Sequence, residues 1–231
     1  RALFQREGLR MPQGVSFTLE NDLDTGVMAD IVFSHFGPPY MVKPPNDGAG
    51  HGIRIAHTII ELPDVIGDVL DEYGAALVEE FIRGHDVSVG LIRDFRDEAL
   101  YALPPTHVIV TDATLTPMRP GYIGRRSMPF IHPAAHRNES LVHKVPSDFS
   151  YNEKRALIGT ARIAHHALGL GHFSRADMIL TPRGPYLLEV NSIPGLYPGS
   201  SFPPMLESVG SSVSEFLEHA IHLARGGVRG L

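Results

Sequence analysis

Two apolar segments of strand length, 173–180 and 186–190, lie close together in the last third of the chain. The five residues between them include two prolines and a glycine, which are typical of turns. The pattern predicts an antiparallel β-hairpin. Because successive side chains of a strand point to opposite faces of the sheet, every second residue of this hairpin shares one face.

Four polar side chains fall on one face of the hairpin if its turn is centred on Arg183. Asp177 then lies opposite Glu189 and Arg175 opposite Asn191, because each pair of residue numbers averages to 183. Opposed carboxylates repel each other, so a cation is expected to compensate them. Oxygen ligands of this kind suit Mg²⁺, and the guanidinium suits a phosphate or an oxyanion. A solvated face with surface ion pairs is the alternative interpretation.

The remaining patterns indicate a chain in which helices and strands are mixed. Residues 62–73 repeat apolar residues at helical spacing, and Gly74 is expected to end that helix. Ser150 and Glu153 have the spacing of a capping box and predict a helix that ends near Gly169. Further strands are predicted at 40–43, 75–82 and 87–92, and a last helix at 211–224. Residues 101–150 show no clear periodicity.

Composition excludes several classes of protein. The 231 residues carry a net charge of −6 and contain no cysteine. No basic stripe indicates a nucleic-acid partner, and there is no disulfide framework. No apolar run approaches the roughly 18 residues of a membrane span, so neither nucleic acid nor membrane is expected as a partner and a cytoplasmic location is expected.

A second group of candidate residues surrounds Lys43. The loop 44–52 follows this lysine and is rich in glycine, which lets backbone N–H groups approach phosphate oxygens. It is not a Walker P-loop, because the lysine precedes the glycines. The strand that contains Glu79 and Glu80 could hold an adenine along its backbone edge. An ordinary loop and an ordinary strand end are the alternative interpretations.

Five motifs follow one another along the chain, and together they resemble the D-alanine–D-alanine ligase family. They are V-K-P-x5-G-x-G-I, V-E-E-F-I-x-G-x-D-x-S-V, A-R-I-A-x-x-A-L-G, S-R-A-D and L-L-E-V-N-S-I-P-G-L. The resemblance extends from about Gly8 to Ala224. The last motif is the most specific of the five.

The resemblance implies an α+β, ATP-grasp fold with two lobes of antiparallel or mixed sheets flanked by helices and the nucleotide between them. Residues 1–82 would form the smaller lobe and residues 83–231 the C-terminal catalytic lobe. The implied cofactors are ATP and two Mg²⁺ ions, which Mn²⁺ could replace. The implied reaction joins two D-alanine molecules through an acyl phosphate, for peptidoglycan precursor synthesis. The partners would be small-molecule substrates, with a homodimer possible.

The resemblance also implies the role of each site residue. Lys43 would contact ATP, Asp86 the ribose, and Ser200 the carboxylate of the second amino acid. The adenine pocket would be lined by Glu79, Glu80, Ile82 and Leu188. The two metal ions would be held by Asp177, Glu189 and Asn191. The tetrahedral intermediate would be stabilised by Arg175 and the backbone of Gly195.

The chain also departs from the family pattern. The family begins with a further domain of roughly a hundred residues, which is expected to be missing here. Ala49 stands where the family usually has a serine, and no Lys-Tyr pair occurs in the lid region 119–143. Arg125, Arg126 or Lys144 could replace the charge of that lysine, whereas His132 and His136 do not match the histidine of the D-lactate ligases. An ATP-grasp ligase with another amino-acid or D-lactate acceptor and a non-catalytic nucleotide-binding module therefore remain alternatives.

Overall fold

The computed structural model describes residues 1–45, 52–110 and 141–226, which form two compact units. The smaller unit contains residues 12–82, and the larger contains Arg1–Met11, Arg83–Ile109 and the residues from Leu141 onward. The sequence places the first eleven residues with the smaller unit, and the structure differs on this point. Phe4 and Leu9 pack in the core of the larger unit, and the Arg10 carbonyl accepts a hydrogen bond of 2.8 Å from the backbone of Leu187.

The described part of the chain contains both helices and strands. The helices are α1 (Ala2–Arg6), α2 (Thr25–His35), α3 (Leu62–Tyr73), α4 (Tyr151–Ala167), α5 (Phe202–Ser208) and α6 (Val213–Gly226). The strands are β1 (Gly14–Thr18), β2 (Tyr40–Lys43), β3 (Arg54–Ala56), β4 (Ala75–Glu80), β5 (His85–Phe95), β6 (Glu98–Ala102), β7 (Thr106–Val110), β8 (Leu141–Lys144), β9 (Phe173–Thr181) and β10 (Gly184–Asn191). No helix among these residues is long and apolar enough to cross a membrane.

The smaller unit is a four-stranded antiparallel sheet, in the order β1-β4-β2-β3, with α2 and α3 packed against it. Alternate residues of β2 divide between its two faces. Tyr40 and Val42 are buried in the core that the sheet shares with the two helices. Met41 packs with Ile53 in a separate small cluster, so Lys43 lies on the face of the sheet away from the helices.

Helix α3 has the bounds that the apolar spacing predicts. Leu62, Ile66, Val69 and Leu70 are buried on one side of it. It ends where the chain turns through Gly74, whose φ of 76° is a left-handed conformation that glycine adopts without steric cost. The prediction of a helix at 62–73 is confirmed.

The larger unit is a sheet of six strands, in the order β10-β9-β5-β7-β8, with β6 also paired to β5. Helix α4 covers one face of it. The predicted capping box is confirmed: the Ser150 hydroxyl accepts from the Glu153 backbone at 3.3 Å, and the Glu153 carboxylate accepts from the Ser150 backbone at 2.7 Å. These two bonds satisfy N–H groups that the first turn of a helix leaves free.

The opposite face of this sheet is covered at one end by α5 and α6. Gly90 of β5 makes this packing possible, because a Cβ atom there would lie 2.8 Å from both the ring of Phe202 and the side chain of Leu103. Phe202 and Phe216 fill the space above the sheet as an edge-to-face ring pair. The polar residues of the hairpin lie next to this apolar cluster.

The hairpin of β9 and β10 contains a turn and a bulge. Thr181 pairs with Gly184, so the turn consists of Pro182 and Arg183, and the predicted turn centre at Arg183 is wrong. A β-bulge follows, because the register shifts between Leu187 and Glu189. A bulge adds one residue to one strand and moves all later pairs by one position.

The bulge restores the pairing that the sequence predicts for the polar residues. Beyond it Asp177 pairs with Glu189 and Arg175 pairs with Asn191. The predicted pairs are therefore confirmed. The turn centre lies half a residue before the predicted position, and the bulge shifts the later pairs by the amount that compensates for this difference.

Candidate functional site

Asp177 is the centre of a polar network on the larger sheet. Its side chain is completely buried. The Ser88 hydroxyl on β5 donates to Oδ1 at 2.7 Å, and the Asn191 amide on β10 donates to Oδ2 at 2.8 Å. Three neighbouring strands thus converge on one carboxylate. A buried carboxylate is tolerated only when donors of this kind replace its water.

Arg175 provides the positive charge of this network. Its guanidinium binds the Asp177 carboxylate in two-pronged fashion, with Nε 2.9 Å from Oδ1 and Nη2 2.8 Å from Oδ2. Burial acts to lower the pKa of Arg175, but the charges of Asp177 and Glu189 outweigh it and the pKa is raised. The arginine is therefore a permanently charged partner. The cation expected between the opposed carboxylates is supplied, at least in part, by the protein itself.

Glu189 and Asn191 complete the network at the edge of the sheet. Asn191 donates from its amide nitrogen to Glu189 Oε1 at 2.9 Å as well as to Asp177. Glu189 is exposed, so its carboxylate is accessible from solvent. Asp177, Glu189 and Asn191 together offer carboxylate and carboxamide oxygens, which are ligands that suit Mg²⁺. In the described part of the chain, no three His, Cys, Asp or Glu side chains form a metal-binding group.

The loop after β10 carries the other predicted residues of the larger unit. Ser200 is buried, and its hydroxyl lies 2.6 Å from the Gly195 carbonyl and 2.9 Å from the Tyr197 carbonyl. A hydroxyl has one proton, so these two carbonyls share it. A Cβ atom at Gly195 would lie 2.6 Å from the ring of Tyr197. The loop is therefore folded back on its own backbone.

Asp86 and Leu188 occupy the flanks of the network. Asp86 is half-buried on β5, two residues before Ser88 and so on the same face of the sheet. Burial, and then the charge of Asp177, raise the pKa of Asp86 to about 7. Leu188 is half-buried at the bulge of β10.

The smaller unit brings Lys43 and Glu79 together. The ammonium of Lys43 lies 2.6 Å from the buried Glu79 carboxylate. Glu80 accepts a hydrogen bond of 2.9 Å from the backbone of Gln13, and Ile82 is half-buried. Lys43 and Glu79 thus form one charged pair, and Glu80 is held by a neighbouring segment.

Several predicted features fall outside the described residues. They are most of the glycine-rich loop, with Ala49, and most of the lid region, with Arg125, Arg126, His132 and His136. Lys144 is described, and its ammonium lies 2.7 Å from the carboxylate of Asp148. In this structure its charge is therefore directed to a surface pair.

Ser88 is a member of the network to which the sequence analysis assigned no role. The sequence contained a signal for it, because Asp86 and Ser88 are polar residues two apart and the residues from Val87 to Ile92 are otherwise apolar. Alternation on a strand places them on one face, but only the pairing of β5 with β9 shows that Ser88 lies opposite Asp177.

We expect Ser88→Ala to lower the free energy of unfolding by about 1.5–3 kcal/mol, because it removes a buried hydrogen bond to a charged group. Thr106→Val is the matched control. Thr106 pairs with Ser88 across β5 and β7, and its buried hydroxyl has no hydrogen-bond partner within the described residues. Urea denaturation should show Thr106→Val to be at least as stable as the wild type. Equal losses in both variants would contradict the assigned bond.

A family model described as the D-ala D-ala ligase C-terminus matches residues 3–222 of the chain. The chain belongs to this family. Relatives of the chain include the D-alanine–D-alanine ligases of Flavobacterium johnsoniae, 30% identical over 92% of this chain, and of Halalkalibacterium halodurans, 27% identical over 97%. The chain spans 61% and 67% of these two proteins, and 56% of the related ligase of Maridesulfovibrio salexigens. The predicted resemblance is confirmed.

Solved structures of D-alanine ligases share the fold of the chain. The VanG D-Ala:D-Ser ligase of Enterococcus faecalis has a TM-score of 0.77 at 23% identity. The match covers 96% of this chain and 59% of the VanG chain. The D-alanyl-alanine synthetase A of Vibrio cholerae has a TM-score of 0.74 at 23% identity, with 96% and 62% coverage. The predicted α+β ATP-grasp fold is thus confirmed.

Proposed function

We propose that this chain supplies the nucleotide-binding and catalytic part of an ATP-dependent ligase that joins two D-alanine molecules for peptidoglycan precursor synthesis. The observation that carries the proposal is the buried Arg175–Asp177 pair, bonded to Ser88 and Asn191, in a chain of this family. Such a network places a fixed cation near the exposed carboxylate of Glu189. Phosphoryl transfer needs both.

The larger unit would hold the metal ions through Asp177, Glu189 and Asn191. Their donor set of two carboxylates and a carboxamide fits two Mg²⁺ ions, which Mn²⁺ could replace. When bound, the ions would neutralise charge on the phosphoryl group that ATP donates. In the structure the amide nitrogen of Asn191 donates to both carboxylates. To bind a metal through its oxygen, the amide group would rotate.

The ATP-binding residues implied by the family resemblance are assigned within each unit separately. In the smaller unit, the Lys43 ammonium would contact phosphate, and Glu79 would hold that ammonium in place through the 2.6 Å pair. Glu80 and Ile82 would line the adenine. In the larger unit, Asp86 would bind the ribose hydroxyls and Leu188 the adenine ring. We assign residues 12–82 to the smaller lobe, and 83–226 with the first eleven residues to the catalytic lobe.

The proposed reaction has two steps. The carboxylate of the first D-alanine takes the terminal phosphoryl group of ATP, which releases ADP and leaves an acyl phosphate. The amine of the second D-alanine then attacks the acyl carbon, the C–O bond to phosphate breaks to release inorganic phosphate, and the amine loses a proton to water. Arg175 and the Gly195 backbone N–H would stabilise the oxyanion that forms. Ser200 would turn its hydroxyl from the Gly195 carbonyl to the carboxylate of the second D-alanine.

The substrates of this reaction are small molecules. Because ATP is a cytoplasmic metabolite, we place the reaction in the cytoplasm.

The experiment that tests the proposal is turnover with ATP, Mg²⁺ and D-alanine, followed by ADP release and by mass spectrometry of the product. We expect D-alanyl-D-alanine and ADP in equal amounts, and neither with L-alanine. D-serine and D-lactate are tested in parallel as second substrates. A product formed only with one of them would contradict the assignment of D-alanine as the acceptor, and ADP release that does not depend on any acceptor would contradict ligase activity.

A further inference from the structure

His143 lies beside the loop that contains Ser200. It belongs to β8, and its Nε2 is 3.0 Å from the carbonyl oxygen of Gly199. A carbonyl only accepts hydrogen bonds, so Nε2 carries the proton. In the neutral ring Nδ1 is then unprotonated and acts only as an acceptor.

The Nδ1 atom of His143 is buried and has no hydrogen-bond partner within the described residues. A buried acceptor without a partner carries a desolvation penalty, and such groups are uncommon in folded proteins. Burial lowers the pKa of His143, the bond to Gly199 opposes this, and the charge of Arg175 lowers it further. The ring is therefore neutral near pH 7, and Nδ1 is a hydrogen-bond acceptor that no described residue satisfies.

The surroundings of His143 indicate which donor fits. Gly199 precedes Ser200, which we propose to hold the carboxylate of the second substrate, and Arg175 is close enough for its charge to act on the imidazole. In an α-amino acid the amine and the carboxylate are attached to the same carbon. A substrate whose carboxylate binds at Ser200, and whose amine attacks near Arg175, therefore carries its N–H groups past this histidine.

We propose that His143 positions the second amino acid of the reaction, with Nδ1 accepting a hydrogen bond from its amine. This inference rests on the proposed function and adds a substrate contact to it. The same bond satisfies the buried acceptor and orients the amine toward the acyl carbon. His143 would thus set the affinity for the acceptor, and not the affinity for ATP.

Two variants separate this role from simple support of the loop. His143→Asn keeps an acceptor oxygen near the position of Nδ1 and loses the bond to Gly199. His143→Gln keeps an N–H group that reaches Gly199 and loses the acceptor. We expect the KM for the second D-alanine to rise about tenfold or more in His143→Gln, as for the loss of one hydrogen bond, and much less in His143→Asn, with the KM for ATP unchanged in both. The opposite order would show that His143 only supports the loop and would overturn the inference.

A measurement on the wild type keeps the inference testable if a variant does not fold. Nitrogen-15 spectra of the histidines, assigned with the variants that do fold, should show His143 protonated at Nε2 and a shift of its Nδ1 signal when D-alanine is added with Mg²⁺ and a non-hydrolysable ATP analogue. ADP release by the wild type is measured in parallel. Turnover without any Nδ1 response would overturn this inference alone, whereas no D-alanine-dependent turnover would overturn the proposed function and the inference with it.

Discussion

Glu189→Gln is expected to lower the rate of phosphoryl transfer by about 100-fold or more while leaving the fold intact. The carboxylate is exposed at the edge of the sheet, so the substitution creates no cavity and no buried polar group. It removes one negative charge from the proposed metal site. The affinity for Mg²⁺ should fall together with the rate, and single-turnover kinetics at increasing Mg²⁺ would show partial recovery.

The matched control for this variant is Glu218→Gln. Glu218 is also an exposed glutamate of the larger unit, on α6, and has no proposed role in the metal site. Both variants should unfold at the same urea concentration as the wild type, and only Glu189→Gln should lose activity. If Glu189→Gln unfolds the protein, or keeps the Mg²⁺ dependence of the wild type, the carboxylate is structural and the assignment is wrong.

Asp177→Ala is expected to lower the free energy of unfolding by about 3–5 kcal/mol, the largest effect on stability that we predict. The variant leaves the buried Arg175 guanidinium without its two-pronged partner. It also removes the closer of the two acceptors of the Ser88 hydroxyl, and one of the two acceptors of the Asn191 amide. Urea denaturation followed by circular dichroism measures the loss.

A double variant tests whether the loss arises from the uncompensated charge. Arg175→Met with Asp177→Leu removes both charges and fills the volume with apolar atoms, so it should be more stable than Asp177→Ala alone, with no activity. Asp148→Ala is the control for a surface pair, because Lys144 and Asp148 are both exposed, and it should leave stability unchanged. A double variant no more stable than Asp177→Ala would contradict this explanation.

Local patterns predicted much of the fold because they act over a few residues. The bounds of α3, the capping box of α4 and the two strands of the hairpin all follow from spacing and turn chemistry. The bulge at Leu188 was not predictable in this way, since an extra residue in one strand depends on packing against its neighbours. The alternation of side chains along a strand places Leu187 and Glu189 on one face, but it does not show which residues of β9 they pair with.

The contacts that the sequence analysis did not predict join residues far apart in the chain. Ser88 meets Asp177 across 89 positions, and His143 meets Gly199 across 56. Each contact depends on strand order, which no local pattern in this chain encodes. The placement of Arg1–Met11 has the same origin, because it rests on the packing of Phe4 and Leu9 in the larger unit.

The central claim is that this chain binds ATP together with Mg²⁺, and calorimetric titration of ATP tests it most directly. The titration is made with Mg²⁺ and with EDTA, on the wild type and on Lys43→Ala. We predict binding that requires Mg²⁺ and that is lost or weakened at least tenfold in Lys43→Ala, which removes a charge-assisted contact to phosphate. Binding that is equal with Mg²⁺ and EDTA, or no binding under either condition, would contradict the account.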